Sequence, residues 1–78
     1  SRKAAALREL IVAWCDEVAE PREGDLVLLR WAGQPAHIGV MVNETDFIHS
    51  LQGIGAHIES VTSSRWRNRV DGYWRVRD

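Results

Sequence analysis

The feature that most restricts this chain is a change of hydrophobic period between Val18 and Leu26. Before it, Leu7, Leu10, Ile11, Trp14, Cys15 and Val18 recur at i, i+3, i+4, i+7, i+8 and i+11. That spacing gathers one apolar stripe and predicts a helix over residues 4–18. Ala4, Ala5 and Ala6 add helix propensity. Pro21 and the Glu23-Gly24 step end the helix and begin a turn. Beyond it, Leu26-Val27-Leu28-Leu29 is a short solid apolar run bounded by turn residues, which reads as a buried strand within 25–31. Gly33-Gln34-Pro35 reads as a turn. Residues 37–42 then alternate, with Ile38, Val40 and Val42 on one face and His37, Gly39 and Met41 on the other. Asn43-Glu44-Thr45 turns the chain into a third strand, 46–50. Gly53 and Gly55 bracket a loop before a fourth, 56–61. Thr62-Ser63-Ser64 can cap a short helix through Asn68, and Asp71-Gly72 leads into a fifth strand, 73–76. The class is therefore α+β: an N-terminal helix packed on a small curled antiparallel sheet of about five strands. The whole of 1–78 is read as one small domain, with its sheet in 25–76.

A chain of 78 residues buries a smaller fraction of its surface than a full-size domain does. Small domains often add disulfides or a metal. Cys15 is the sole cysteine, which rules out an internal disulfide, and no Cys/His spacing has the pattern of a structural zinc site. No cofactor or metal is expected. Either the core is good for its size, or the chain leans on a missing N-terminal lobe or a partner. The net charge of −1, from 10 Lys+Arg against 11 Asp+Glu, argues against a nucleic-acid binder. Arg65, Arg67, Arg69, Arg75 and Arg77 nevertheless crowd the C-terminal end. They read as a solvated face, or as a contact for an anionic polymer or acidic partner. No apolar run approaches the ~20 residues of a membrane span. Arg2 and Lys3 lead into an amphipathic stretch and not into the apolar core of a signal peptide. The chain opens on Ser, not Met, so it reads as a processed product or as part of something longer.

His37 and His49 carry the chemistry. A three-residue loop at 43–45 sets Val42 opposite Asp46, and hence Gly39 opposite His49. His37 shares the face of Gly39, so the two imidazoles sit diagonally on one face, with Gly39 leaving room between them. Histidine titrates near neutrality. One ring can take a proton from a thiol while the other fixes its tautomer and angle. A metal site is the lesser option, since a third ligand is missing. His57, on the fourth strand, receives no role. Glu59 and Asp71 read as surface charges, and Asp46 as a turn residue. Of the four tryptophans, Trp31 beside the turn is the candidate wall of a substrate groove, and core packing or contact with another lobe accounts for the others.

The segments Glu23-Gly24-Asp25-Leu26-Val27-Leu28-Leu29, Ala36-His37-Ile38-Gly39-Val40-Met41-Val42 and Asp46-Phe47-Ile48-His49-Ser50, in this order and spacing, resemble the NlpC-type papain-like cysteine peptidases. The tail from Ile54 to Val76, with its basic Arg65-Trp66-Arg67-Asn68-Arg69, resembles phage tail-associated members. The resemblance covers roughly residues 20–77 and implies the histidine-bearing, C-terminal half of such a domain. It implies that His37 is the base, that His49 orients it, and that Gly24 and Asp25 have a structural role. It implies a cysteine endopeptidase or amidase that hydrolyses peptidoglycan stem peptides, in a phage virion or in the bacterial periplasm or cell wall. A catalytically inactive structural or binding module of a virion or tail assembly is the alternative, with other tail proteins as partners. The chain departs from the family at the nucleophile, which the family places at a helix N-terminus well before the Gly-Asp motif. A helix N-terminus favours a thiolate. Cys15 is instead expected near a helix C-terminus, beside Asp16 and Glu17, on the apolar stripe. It reads as a buried small hydrophobe, with the nucleophile-bearing part absent from this chain. A permuted papain-like order fails, because no cysteine follows His49.

Overall fold

In the computed structural model, which describes residues 2–51 and 53–78, one helix precedes six strands. These are α1 (Arg2–Trp14), β1 (Cys15–Val18), β2 (Leu26–Trp31), β3 (Gln34–Met41), β4 (Asp46–Leu51), β5 (Gly55–Ser60) and β6 (Val70–Val76). The strands form one sheet in the order β1-β6-β2-β3-β4-β5, antiparallel throughout. The α+β class is as expected, with six strands where about five were anticipated.

The extra strand comes from the predicted helix. Its last turn, Cys15–Val18, is extended and pairs with β6 from Cys15↔Val76 to Val18↔Tyr73. A helical spacing of apolar residues was present, but pairing with a distant strand overrode it. The chain's C-terminal end also stops the helix. Arg77 donates from its guanidinium to the carbonyls of Val12, Ala13 and Cys15, groups a helix end leaves without partners. The predicted stripe is correspondingly split: Ile11 and Cys15 are buried, whereas Leu10 and Trp14 are exposed.

Two turns differ from expectation. The β2–β3 hairpin turns on Ala32 and Gly33, both at positive φ (54° and 79°), so Trp31 pairs with Gln34. Such a two-residue turn matches the strand twist, and it moves Gln34 and Pro35 into β3. Residues 61–69 form a run of turns and not a short helix. Ser63 still caps it, accepting from the Trp66 N–H at Oγ (3.3 Å) and from the Arg67 N–H at its carbonyl (2.9 Å).

Strand β2 explains the solid apolar run, because it is covered on both sides. Val27 and Leu29 face a cluster with Met41, Phe47, Val61 and Trp66, under the turns of 61–69. Leu28 faces the other way, with Ile11, Cys15 and Trp74 beneath α1. The alternation in β3 follows the predicted faces: Gly39 and Met41 point to the Trp66 side, and Val40 is exposed on the helix side. Val40, Ile48 and Ile58 align across β3, β4 and β5 as an exposed apolar row. Gly39 is required by a close approach. A Cβ there would lie 2.7 Å from Phe47 Cδ2 and 3.1 Å from the Ile48 carbonyl oxygen. The space beside it is thus filled by the Phe47 ring and is not an open gap between imidazoles.

The Gly24-Asp25 step ties together β3 and β6, the two strands that flank β2. Gly24, at φ 90°, donates its N–H to the Met41 carbonyl (2.8 Å). Asp25, buried, accepts from the Arg22 N–H (2.8 Å) and from Arg75 through Nε (2.9 Å) and Nη2 (2.7 Å). The crowded arginines therefore disperse. Arg75 grips Asp25, Arg77 grips the end of α1, Arg65 lies 3.6 Å from Glu59, and Arg69 lies over the Trp31 and Trp66 rings.

Candidate active site: a histidine pair backed by a carboxylate

Hairpin register brings the two histidines together. The β3–β4 ladder pairs Val40↔Ile48 and Met41↔Phe47, so one step further Gly39 faces His49, as the three-residue loop predicts. His37 Nε2 lies 2.7 Å from His49 Nδ1, with ring centroids 5.0 Å apart and planes at 78°. That is a hydrogen bond between imidazoles, and it leaves no space for a metal ion between the two nitrogens. Among the described residues no group of three His, Cys, Asp or Glu side chains could hold one.

Aromatic rings fix both histidines. Trp66, fully buried, stacks on His37 (6.0 Å, 13°) and meets His49 edge-on (5.2 Å, 90°). Phe47 packs against His49 at 4.9 Å. His49 is buried, while His37 is half-buried. Burial pushes the His37 pKa down, and the neighbouring His49 ring and the Arg65 charge push it further, against a smaller upward pull from Glu59. His37 is thus disposed to be neutral near pH 7, with a lone pair to accept a proton.

Glu59 was read from sequence as a surface charge, and the structure corrects this. Its Oε2 lies 2.6 Å from His49 Nε2, and its side chain is only 15% exposed. Burial raises the Glu59 carboxyl, but the hydrogen bond from His49, the nearby Trp66 indole N–H and the charge of Arg65 outweigh it, and the net shift is downward. The sequence did hold the signal. The β4–β5 hairpin pairs Leu51↔Gly55, another odd loop, so Phe47 opposes Glu59 and His49 opposes His57. The register argument that joins His37 to His49, taken one hairpin further, puts Glu59 diagonal to His49 on the same face. His57 shares that face but is exposed. Asp71 is bound by Arg8 (3.2 Å) and Arg30 (3.3 Å), away from the histidines.

Cys15 lies in the opposite layer. It is buried with Ile11, Leu28 and Trp74, whereas both histidines belong with Trp66 on the other face of the sheet. It is a small hydrophobe of the core, though as the first residue of a strand and not at the end of a helix. Trp31 is half-exposed, 6.1 Å from the rings of both His37 and Trp66. With Arg30, Ala32, Gly33, Asn68 and Arg69 it lines an open groove of about 580 Å³. The Arg69 guanidinium sits 5.7 Å from the Trp31 ring.

The NlpC/P60 family matches residues 2–75. The chain is 33% identical over 55 residues to a protein of Escherichia coli K12 named murein DD-endopeptidase MepS/murein LD-carboxypeptidase. The same values hold for its counterparts in the O6:H1 and O157:H7 strains. The aligned stretch is 70% of this chain but 29% of each relative, so the chain spans well under half of their length. A match over nearly all the described residues places this chain in the NlpC/P60 family.

Proposed function

We propose that this domain supplies the proton-transfer half of a cysteine endopeptidase or amidase acting on peptidoglycan stem peptides. The observation that carries the proposal is the 2.7 Å bond between His37 Nε2 and His49 Nδ1 on one sheet face. It leaves His37 Nδ1 with no hydrogen bond among the described residues. In this reading His37 is the catalytic base and His49 orients it. His37 takes the proton of a thiol, the thiolate attacks the amide carbon, and the imidazolium returns the proton to the departing amine. Water then hydrolyses the thioester by the reverse roles. The thiol comes from outside these 78 residues, since Cys15 lies across the sheet. The activity named for the Escherichia coli relatives supports the substrate class. Trp31 forms the groove wall that receives the peptide.

The likeness of the Arg65–Arg69 segment to tail-associated phage members supports a role as a tail-associated phage hydrolase; a site of action in the periplasm or cell wall is supported by the murein-acting relatives. A second reading has its own observation: among the described residues no thiol faces the histidine pair, and Trp66 covers one side of His37. A non-hydrolytic binding module would have those features.

The full-length polypeptide incubated with purified peptidoglycan separates these readings. The peptidase reading expects new soluble muropeptides, a loss of at least about 100-fold in turnover for His37→Ala, and near-wild-type turnover for Cys15→Ser. Trp31→Ala should raise KM more than it lowers kcat. Equal digestion by wild type and His37→Ala would end it, and sedimentation with peptidoglycan without cleavage would favour the binding module.

A further inference from the structure

We infer that Glu59 is a positioning residue that selects which nitrogen of His37 accepts the proton, acting through His49. This role rests on the reading of His37 as the base. Each neutral imidazole has one N–H and one lone pair. The Glu59 carboxylate, ionised near neutrality, can only accept, so the 2.6 Å contact requires the proton of His49 on Nε2. His49 Nδ1 then carries the lone pair. The 2.7 Å contact to His37 Nε2 in turn requires an N–H on that nitrogen. The lone pair of His37 is thereby fixed on Nδ1, the one ring nitrogen of the pair without a partner among the described residues.

The three groups stand on three successive strands, β3, β4 and β5, on one face of the sheet. The register ties each to the next, so the order of acceptors and donors is built into the backbone. Protonation of His37 at Nδ1 makes an imidazolium whose Nε2–H still points at a lone pair, with a carboxylate behind it. No proton leaves Glu59 or reaches it; its charge favours the imidazolium, and its geometry fixes the tautomers. Arg65, 3.6 Å from Glu59 Oε1, holds the other oxygen and offsets part of the charge. The exposed His57 lies opposite His49 on the same face.

Glu59→Gln tests the inference with little change in volume. Its amide can offer an N–H to His49, which would reverse both tautomers and place a proton on His37 Nδ1. Imidazole ¹⁵N spectra of wild type should show Nε2–H on both His37 and His49. In Glu59→Gln the His37 signals should move toward the Nδ1–H form or a mixture, and Glu59→Ala should also give a mixture. Glu59→Asp, charged but shorter, should keep the wild-type tautomers in part. Amide chemical shifts of Phe47 and Trp66 verify that each variant is folded. A Nδ1–H form of His49 in folded wild type, or unchanged tautomers in folded Glu59→Gln and Glu59→Ala, would overturn the inference. In turnover, Glu59→Gln should lower kcat about 10- to 100-fold with KM unchanged and should move the acid limb of the pH profile. The spectra decide the role of Glu59, while turnover by wild type separately decides the proposed peptidase function.

Discussion

His37 is poised between a buried stack and solvent. Trp66 covers one side, His49 bonds Nε2, and Nδ1 has no hydrogen-bond partner among the described residues. Burial comes first among the causes that lower its pKa, with the neighbouring His49 ring and the Arg65 charge next. Its ring should therefore titrate below 6.5, the ordinary histidine value, in an NMR titration of its carbon-bound protons. The same depression has a consequence for stability. The unfolded chain takes up a proton near 6.5 and the folded chain only at lower pH. This residue's effect is thus a loss of stability as pH falls below 6.5 toward the folded value. Replacing His37 with Gln should flatten that part of the stability–pH curve, read from urea midpoints. Asp25 behaves analogously at lower pH. The Arg75 hydrogen bond leads the causes that depress its pKa, outweighing burial. Its stabilisation is present above 3.8 and lost as pH falls through the folded value. Asp25→Asn should lower the thermal midpoint at pH 7 and bring the difference toward zero at strongly acid pH.

At the level of elements, the site depends on odd loops and on one glycine. Side chains alternate along a strand, so a single-residue slip in either hairpin would turn His49 or Glu59 to the helix side. Gly39 guards the first hairpin, because β4 passes close enough for Phe47 and the Ile48 carbonyl to fill its Cβ position. Gly39→Ala should cost roughly 1–3 kcal/mol of stability by overpacking. It should also broaden or shift the His49 resonances, since Phe47 and His49 move with the same strand. A substitution at the remote Gly72, where a Cβ would meet chiefly the flexible end of Glu17, should leave those resonances in place. Helix α1 shows the reverse dependence, with its end set by a distant residue. Removing the Arg77 guanidinium frees the carbonyls of Val12, Ala13 and Cys15. Arg77→Ala should therefore speed amide exchange in the last turn of α1 and in β1 while leaving β3 and β4 unchanged.

For the whole molecule, β2 is the common wall of two apolar clusters. Val27 and Leu29 serve the site layer, and Leu28 serves the helix layer, all three fully buried. A cut through either layer therefore opens the other, and residues 2–78 are expected to unfold as one unit. Leu28→Ala should cost roughly 2–5 kcal/mol. Trp66 in one cluster and Trp74 in the other should report the same urea midpoint in wild type and the same reduced midpoint in the variant. Separate midpoints would divide the domain.

The local pattern determined much of this protein. The alternation through His37 and Met41, the loop at 43–45 and the order of the Gly-Asp, His-Ile-Gly and Phe-Ile-His segments were enough to place two imidazoles on one face and to point to the family. These are short-range properties, since the period and loop parity set side-chain direction before any tertiary contact forms. What happens to Cys15–Val18 was decided only by the tertiary structure, because its helical spacing lost to backbone pairing with β6, a partner nearly the whole chain away. The same is true of the arginines, whose roles depend on which carboxylate, carbonyl or ring the fold brings beside each. Glu59 stands between the two cases: its face was legible from hairpin parity, but the 2.6 Å contact that gives it meaning exists only once β3, β4 and β5 are side by side.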